Sequence, residues 1–391
     1  MKICAVIAEY NPFHLGHKKQ FDFIKNTLCA DKIIVVMSGN FTQRGEPAVL
    51  DKYTRAKHAI LAGADMVIEL PTVFATANAE IFAKGATTII DKLNVVDELC
   101  FGVESGEKQD FVLLAQAMNN ESKEFKKILK EQLDKGVSLA KAKFEAVKKT
   151  SQGNFDNSLV SLPNNILGVE YTKALLSLNS AIEISPMLRE GDHRDKTLKK
   201  GITSATSIRS TLKSGKKSAV KSNVPTYVYK DLNGYPTLLE GLIVADAIKR
   251  SASQIERVPD CTEGLENRIK ALVKDNKDLD ELVEKITTKR YTETRIRRIL
   301  LSNFLGIDKK TAPAVLKDGL YAKILAVKKQ SKDLISLLCD SADIPILTRK
   351  SDVLKLDTHA RESYEIDTCA NDLYSLATAQ NINENLMLII E

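Results

Sequence analysis

Short apolar runs alternate with helical patterns over the first hundred residues of the chain. Four runs have the length of buried strands: residues 3–8, 33–37, 66–70 and 98–101. Apolar residues at helical spacing follow in three segments: residues 18–28, 53–62 and 78–93. Strands and helices that alternate at this pitch are typical of a parallel, doubly wound sheet with helices on both faces.

The pattern then becomes less regular. Residues 110–150 are rich in Lys and Glu at helical spacing, and a predicted helix at 169–177 leads into a strand-like run at 181–185. A polar, basic loop is predicted at 189–201. The hydroxyl residues that follow suit the start of a helix that ends near residue 213.

Helical patterns dominate beyond residue 215. They predict four amphipathic helices, at residues 235–251, 265–274, 278–287 and 295–305. A turn is predicted at 309–314, and residues 343–347 are strand-like. We therefore predict an α/β fold with a Rossmann-like parallel sheet at 1–215 and a mainly helical domain at 216–391.

The first apolar run leads into a turn that carries candidate chemistry, Glu9-Tyr-Asn-Pro-Phe-His-Leu-Gly-His17. Gly16 lacks a side chain where a phosphate would approach the backbone, and the N–H groups that begin the next helix favour an anion. His14 and His17, three residues apart, are suited to donate hydrogen bonds to a polyphosphate. The alternative is a strand–turn–helix unit whose histidines are ordinary surface or capping residues.

A second cluster, Ile202-Thr-Ser-Ala-Thr-Ser-Ile-Arg209, has the features of a partner phosphate site. Ser204 and Thr206 place hydroxyls at a helix start, and the planar guanidinium of Arg209 suits polyphosphate oxygens. An ordinary helix cap with a solvent-facing arginine is the alternative. The His-Leu-Gly-His turn in the same chain favours the phosphate site.

Charge is unevenly distributed although the net charge of the 391 residues is only +6. Residues 189–217 contain nine Lys or Arg against three Asp or Glu, whereas residues 339–391 contain four against ten. Residues 287–298 carry five basic side chains, one acid and a tyrosine. These basic stretches suit phosphate contacts, and the alternative for each is a solvated helix face.

The chain has no apolar run near the length of about 20 residues that spans a bilayer, and its N-terminal run is too short for a signal peptide. Six scattered cysteines form no Cys-x-x-Cys pair, so no zinc site is expected. Cys4 and Cys100 lie in apolar runs, so buried thiols in a reducing cytoplasm are the best interpretation. We expect a cytoplasmic protein without a membrane contact or a stable protein partner.

The quartet His14-Leu-Gly-His17 resembles the HxGH signature of the nucleotidyltransferase superfamily. The longer string from Glu9 to His17 resembles the start of the tRNA(Met) cytidine acetate ligase family, and residues 38–47, 52–57 and 287–298 are also similar to that family. Residues 202–209 are similar to the ISSTxxR-like motif of adenylyltransferases. The family's glycine-rich, histidine-containing stretch after Arg189 reads Glu-Gly-Asp-His-Arg-Asp here, at 190–195, and this departure includes His193.

The resemblance implies an ATP-dependent enzyme that makes acetyl-adenylate and transfers the acetyl group to N4 of the wobble cytidine of elongator tRNA(Met). It implies ATP as substrate, Mg²⁺ with the ATP, and acetate and tRNA(Met) as the other partners, with no protein metal ligands. Two alternatives stay open: a small-molecule adenylyltransferase, and a non-catalytic tRNA-binding protein with a degenerate nucleotide pocket. The basic stretch and the large second domain favour the tRNA ligase.

The resemblance also implies site residues. Catalysis falls to His14, His17 and Arg209. ATP binding falls to Ile7, Ala8, Glu9, Tyr10, Asn11, Pro12, Phe13, His14, Leu15, Gly16, His17, Lys18, Lys19, Gln20, Gly102, Asn164, Asn165, Arg189, Ser204, Thr206 and Arg209. The sequence does not decide between the two asparagines. tRNA binding falls to Lys289, Arg290, Tyr291, Arg295, Arg297 and Arg298.

The loop at 38–47 follows the second predicted strand and is a candidate to cover the acyl group or receive the target base. Its candidate side chains are Gln43, Arg44 and Glu46. Phe41 in the same loop is equally suited to fill the core.

Overall fold

A computed structural model describes residues 1–120, 122–136, 139–150, 156–189, 198 and 201–391. Within these residues, eight strands form one sheet. The strands are β1 Ile3–Ala8, β2 Lys32–Ser38, β3 Met66–Leu70, β4 Glu98–Val103, β5 Glu183–Leu188, β6 Ala322–Lys328, β7 Ile346–Leu347 and β8 Leu388–Ile390.

The strand order is β5-β4-β1-β2-β3-β6-β7, with β8 also paired to β6. Pairing is parallel throughout except between β3 and β6. The chain builds outward from β1 through β2 and β3, and then continues on the other side of β1 with β4 and β5. The order therefore reverses at β1 and β4, and in open α/β sheets ligands bind beyond the carboxyl ends of the strands at such a point.

The strands read as continuous apolar runs because helices cover both faces of the sheet. Residues of β1, for example, divide between two hydrophobic clusters: Ile3, Ala5 and Ile7 pack on one face, and Cys4 and Val6 pack on the other. Alternating side chains of one strand thus contribute to two cores.

Helices occupy most of the remaining described residues. The first nine are α1 Leu15–Asn26, α2 Lys52–Ala62, α3 Thr72–Ala75, α4 Ala79–Lys92, α5 Lys108–Asn119, α6 Lys123–Asp134, α7 Leu139–Thr150, α8 Ser158–Ser161 and α9 Pro163–Ser177. The others are α10 Ala205–Lys213, α11 Thr226–Asp231, α12 Thr237–Lys249, α13 Ala252–Ile255, α14 Leu265–Leu272, α15 Leu279–Ile286, α16 Glu293–Leu305, α17 Thr311–Asp318, α18 Asp333–Ser341 and α19 Thr358–Thr378. Short 3₁₀ turns lie at Lys217–Ser222, Lys329–Ser331 and Lys350–Lys355.

The predicted α/β class and the predicted strands β1 to β5 are confirmed within one to three residues. The turn predicted at 309–314 was wrong, because α17 begins at Thr311. The predicted loop at 189–201 lies largely outside the described residues, as does the 190–195 stretch with His193.

The sheet continues past the domain boundary predicted near residue 215. Three strands from the C-terminal part, β6, β7 and β8, extend the edge that begins at β3. The residues of β6 from Ala322 to Val327 are all buried, and all of them except Lys323 are apolar, so this strand completes the core instead of closing a separate one. In the described part of the chain, no helix is both long enough and apolar enough to cross a bilayer.

Candidate active site

The turn after β1 is held in an uncommon backbone conformation. Tyr10 has φ of +47°, in the left-handed region that side chains other than glycine rarely adopt. Its buried ring packs edge-on against Phe13 and His17, with ring centroids 4.9 and 4.8 Å apart. Non-glycine residues in this region cost of order 1 kcal/mol and cluster at functional sites. The aromatic packing holds the turn that presents the two histidines.

His14 and His17 cap the start of α1 with their own rings. The Gly16 N–H donates to Nδ1 of His14 at 3.1 Å, and the His14 N–H donates to Nδ1 of His17 at 3.2 Å. The rings stack with centroids 3.7 Å apart. Because each Nδ1 accepts a backbone proton, each neutral ring carries its own proton on Nε2. The caps therefore fix both histidines as Nε2–H donors.

Burial lowers the pKa of His17 well below its ordinary value, and the neighbouring His14 and Arg189 lower it further. The ring is therefore neutral near pH 7 and acts as a hydrogen-bond donor rather than as a fixed positive charge. A neutral donor can follow charge as it develops on a ligand without repelling its stacked partner.

Gly16 is required by the histidine itself. A Cβ at this position would lie 2.9 Å from Cε1 of His14 and 3.8 Å from Cγ2 of Ile202. The space beside the glycine is thus occupied by the capping imidazole, and Ile202 of the loop before α10 lies close to the same space. The two sequence motifs are therefore near each other.

Helix α10 supplies the second half of the site. Ser204 is its N-cap and accepts the Ser207 N–H at 3.1 Å. Arg209 is buried; its Nη1 donates to the carbonyl of Asn11 at 2.9 Å and its Nη2 donates to Thr206 at 3.4 Å. Burial lowers the pKa of Arg209, against the opposing effect of Glu46, and the group stays charged near pH 7. A buried guanidinium beside the His-Leu-Gly-His turn favours an anion there.

Gly102, Arg189 and Asn164 meet across the ends of β4, β5 and α9. A Cβ at Gly102 would lie 3.0 Å from Cγ and Cδ of Arg189, so the arginine stem crosses the glycine. Nη1 of Arg189 donates to Oδ1 of Asn164 at 3.3 Å. Burial lowers the pKa of Arg189, and Arg189 also influences His17. Three predicted positions from distant parts of the chain therefore surround one edge of the sheet.

The structure separates the two asparagines. Asn165 is fully buried, accepts the Glu104 N–H at 2.9 Å through Oδ1, and donates through Nδ2 to Ser105 and Ser158. Asn164 is half-buried and faces Arg189. Asn164 is thus placed toward the site, whereas Asn165 holds the start of α9 against β4.

Glu104 is a site residue that the sequence reasoning missed. Its two carboxylate oxygens accept the backbone N–H groups of Asn164 and Asn165 at 3.3 and 3.1 Å, and it also accepts the Asn164 amide at 2.6 Å. A carboxylate at a helix start is stabilised by the helix dipole. The signal was its place directly after β4, at the same sheet edge as the turn.

The remaining predicted nucleotide residues divide between core and surface. Ile7 and Phe13 are core residues, Lys18 and Lys19 are exposed, and Gln20 donates to the carbonyl of Cys100 at 3.2 Å. The others lie along the same turn: Ala8 and Glu9 at the end of β1, Asn11 and Pro12 in the buried turn, and Leu15 at the start of α1.

The loop at 38–47 packs tightly against the site. The Gln43 N–H donates to Oε1 of Glu9 at 2.8 Å, and the buried Arg55 donates to the carbonyls of Glu9, Ser38 and Gly39. Phe41 lies in the core, which is one of the two roles that the sequence allowed for it. Arg55, which sequence reasoning did not single out, ties the carboxyl ends of β1 and β2 together.

Glu46 connects this loop with two arginines. Its carboxylate lies 3.6 Å from Nε of Arg209 and 3.9 Å from Nε of Arg297. Gly45, with φ of +77°, lies so close to α16 that a Cβ at this position would be 2.6 Å from the backbone of Arg297. The loop at 38–47 therefore packs between Arg209 of α10 and the helix α16.

The basic stretch at 287–298 is largely satisfied by its own chain. Arg290 pairs with Glu263 at 2.6 Å, and Arg295 donates to Asp260 and Thr262. The other predicted members are placed as follows: Arg297 pairs with Asp280 at 2.6 Å and Glu293 at 3.0 Å, Arg298 pairs with Asp260 at 3.1 Å, Tyr291 packs on Arg295, and Lys289 is exposed. Packing of α16, rather than an open basic face, accounts for most of these charges.

Replacement of Arg297 by leucine is expected to destabilise the fold by about 1–3 kcal/mol, because it removes a nearly buried guanidinium that pairs with Asp280 and Glu293 and lies near Glu46. The neighbouring acids raise the pKa of Arg297 above its ordinary value against the effect of burial, which indicates a favourable pairing. The matched control is Arg290→Leu, whose side chain is 56% exposed. An equal drop in the thermal unfolding temperature of both variants would contradict the structural role of Arg297.

A sheet that reverses its order at β1, a His-x-Gly-His turn at that point and a Ser/Thr-Arg helix start beside it define a nucleotidyltransferase of the HxGH class. Similarity to known proteins leads to the same class. The chain belongs to the HIGH Nucleotidyl Transferase family, whose profile matches residues 1–387, and within it to the tRNA(Met) cytidine acetate ligase family.

Curated relatives that carry the name tRNA(Met) cytidine acetate ligase match nearly the whole chain. The relative from Clostridium tetani is 38% identical over 386 residues, which cover 94% of this chain and 96% of the relative. The one from Acetivibrio thermocellus is 37% identical over 372 residues, or 91% and 90% of the two chains.

Solved structures match the fold over its full length. A crystal structure of Thermotoga maritima TmcAL bound with α-thio ATP superposes with a TM-score of 0.91 at 29% identity, and its apo form with 0.94 at 29% identity. Each match covers 100% of both chains.

Proposed function

We propose that this chain is an ATP-dependent ligase that joins acetate to N4 of the wobble cytidine of elongator tRNA(Met). The observation that carries the proposal is that Arg209 donates to the carbonyl of Asn11 in the same turn that presents the stacked His14–His17 pair, at the switch point of the sheet. The names of the relatives, and the ATP analogue bound in the Thermotoga maritima protein, support it.

The first step forms acetyl-adenylate. A carboxylate oxygen of acetate attacks the α-phosphorus of ATP, and the bond from that phosphorus to the bridging oxygen breaks to release pyrophosphate. His14 and His17 donate through Nε2–H to phosphate oxygens as negative charge builds on them, and Arg209 contacts the leaving phosphates. Arg189, Asn164 and Gly102 hold the nucleoside end of ATP at the neighbouring strand ends, where the glycine permits close approach.

The second step transfers the acetyl group to tRNA. The N4 amine of cytidine attacks the acetyl carbon, AMP leaves with the electron pair of the broken bond, and the amine loses a proton. The cytidine must leave the anticodon stack to reach the adenylate, as in base flipping. Lys289, which is exposed, and Arg290, which pairs only at the surface, are the members of the 287–298 stretch best placed to contact tRNA.

Magnesium is proposed to accompany ATP; the ATP phosphates would hold it, and it would neutralise part of their charge. Among the described residues, no group of three or more His, Cys, Asp or Glu side chains is arranged to hold a metal ion. We also propose that the enzyme works in the cytoplasm, in keeping with six free cysteines.

The test uses the purified chain with ¹⁴C-acetate, ATP and total tRNA, followed by nuclease digestion and chromatography of nucleosides. We expect the label in N4-acetylcytidine, dependent on ATP, and confined to elongator tRNA(Met) when the tRNAs are separated. tRNA(Met) with uridine at the wobble position is the matched control, since it lacks the N4 amine. Absence of label from tRNA, while ATP is still bound, would refute the proposal.

A further inference from the structure

A lysine-rich segment lies beside the active site and has no place in the chemistry described above. Residues 213–230 contain five lysines and no acidic residue: Lys213, Lys216, Lys217, Lys221 and Lys230. The stretch includes the C-terminal end of α10, the 3₁₀ turn at Lys217–Ser222 and most of α11. We call residues 213–230 the lysine segment.

Apolar residues at four-residue spacing fix the segment to the core. Val220, Val224, Val228 and Leu232 are all buried, and they pack in one cluster with Ile208 and Leu212 of α10. The backbone is thus held firmly, and the lysines point away from the packed side. Lys216, Lys221 and Lys230 are exposed.

Four of the five lysines in this segment have no carboxylate partner among the residues that the structure describes. In the part of the chain that the structure describes, Lys216, Lys217, Lys221 and Lys230 form no salt bridge, and Lys217 instead lies 5.2 Å above the ring centre of Tyr229. The next acid along the chain, Asp231, lies 2.9 Å from His58. Lys213 differs, because it pairs with Glu240 and Asp280 at 2.7 Å.

The 287–298 stretch provides the contrast. Its arginines at 290, 297 and 298 each pair with a carboxylate, and Arg295 donates to a backbone carbonyl. Charges already satisfied within the chain gain less from a phosphate than charges exposed to water only, because the internal pair must first be broken. The lysine segment therefore has the larger capacity to bind a polyanion.

The middle of the segment contacts the start of the helix that follows the histidine turn. The Leu15 N–H, at the start of α1, donates to the carbonyl of Asn223 at 3.2 Å, and the Asn223 amide donates to Gly201 at 2.7 Å, in the loop before α10. Asn223 thus bridges the two halves of the nucleotide site. Lys18, on the first turn of α1, is also exposed.

We propose that the lysine segment is the main binding surface for the phosphate backbone of the substrate RNA beside the target cytidine. This inference rests on the proposed function. A base that enters the site next to His14 and Arg209 brings its flanking phosphates to the surface around Asn223, where the unpaired lysines lie. Such contacts position the RNA without reading its sequence, so the segment supplies affinity and leaves identity to other contacts.

The experiment replaces Lys216, Lys221 and Lys230 together by glutamine and measures the affinity for tRNA(Met) by fluorescence anisotropy, without ATP or acetate, from 50 to 300 mM KCl. We expect tRNA affinity to fall by about 10- to 100-fold at the lowest salt. The slope of log affinity against log salt should shrink by about 2, at roughly 0.7–0.9 for each phosphate that the protein no longer neutralises. A variant with arginine at the same three positions should keep both the affinity for tRNA and the salt slope, since only charge is required.

The charge-matched control is the triple change of Lys310, Lys317 and Lys332 to glutamine. These lysines are also exposed, and they lie on or before helices α17 and α18. We expect this variant to bind tRNA like the unaltered protein. The inference would be overturned if both glutamine variants lost the same affinity for tRNA, or if the arginine variant lost affinity for tRNA. It would also be overturned if the glutamine variant of Lys216, Lys221 and Lys230 kept its affinity for tRNA and lost only its affinity for phosphatidylglycerol vesicles. Since binding is measured without catalysis, a chain that binds tRNA but never acetylates it would refute the proposed function alone.

Discussion

Changing His17 to alanine is expected to slow acetyl-adenylate formation by about 10²- to 10³-fold, the usual cost of removing one preorganised donor from developing charge. The structure gives this residue two tasks. Its Nδ1 accepts the His14 N–H at 3.2 Å, and its ring stacks on that of His14. Loss of the side chain therefore removes one Nε2–H donor and also loosens the ring that supplies the other. ATP–pyrophosphate exchange in the presence of acetate measures the effect.

His359→Ala is the matched control for that variant. His359 lies at the start of α19, is partly exposed and contacts Asp318. Its loss should leave exchange unchanged. His17→Asn tests the reason more finely, because an asparagine side chain also offers both a donor and an acceptor. Exchange in His17→Asn that is no better than in His17→Ala would argue that the imidazole is needed for more than hydrogen bonding.

The protonation of His17 gives a pH criterion for the same experiment. Burial, and then His14 and Arg189, hold the pKa of His17 well below its ordinary value, so the ring is already neutral as pH rises through about 6.5. The rate of ATP–pyrophosphate exchange should therefore not fall through deprotonation of His17 as pH rises through about 6.5. A rate that falls as pH rises through about 6.5, and that loses this fall in His17→Asn, would show that the imidazolium is the active form.

Local structure could be predicted from the sequence where one short motif carries several features. The turn from Glu9 to His17 follows the strand end directly and contains its own helix caps and donors within nine residues, so these features follow from local contacts. Ser204 was predicted as a cap for the same reason. Such features depend on hydrogen bonds between neighbours, which sequence spacing controls.

Prediction was weaker where contacts join distant segments. Asn164 and Asn165 are neighbours on one helix, and the partners that hold the Asn165 side chain in the interior include Glu104 and Ser105, some sixty residues earlier. Arg297 was assigned to tRNA binding together with its basic sequence neighbours, and that role stays a prediction. Its partners Asp280 and Glu46 lie on other elements, and the sequence did not indicate them. Strand β6 joins β3 across more than 250 residues, a pairing that no local pattern specifies.

Replacing Lys52 by methionine is expected to lower the free energy of unfolding by about 3–5 kcal/mol, the usual cost of removing one partner from a buried charge pair. Lys52 is almost fully buried on α2, and its Nζ lies 2.7 Å from Glu69 and 2.7 Å from Glu384. Lys323 on β6 contacts the same two carboxylates. Two lysines thus balance two glutamates, and the network joins β3, β6 and the C-terminal segment.

The pKa of Glu69 gives the direction of the pH dependence. Burial alone would raise this pKa, but Lys323 and Lys52 lower it below the ordinary value. A carboxyl whose folded pKa is depressed contributes stability above its unfolded pKa of about 4.3, and that stability is lost as pH falls through the folded value. Lys52→Met should therefore narrow the difference between stability at neutral and at acid pH, as measured by urea unfolding.

A double variant separates charge balance from packing. Lys57→Met is the control on the same helix, and it should change stability little because Lys57 is exposed and lies 3.9 Å from Asp231. Adding Glu69→Gln to Lys52→Met leaves one lysine, Lys323, opposite one carboxylate, Glu384. We expect this double variant to be less destabilised than the sum of its single changes by about 1–3 kcal/mol, since each single change leaves an unbalanced charge in the interior. Costs that simply add would show that the four side chains act as packed groups and not as a charge network.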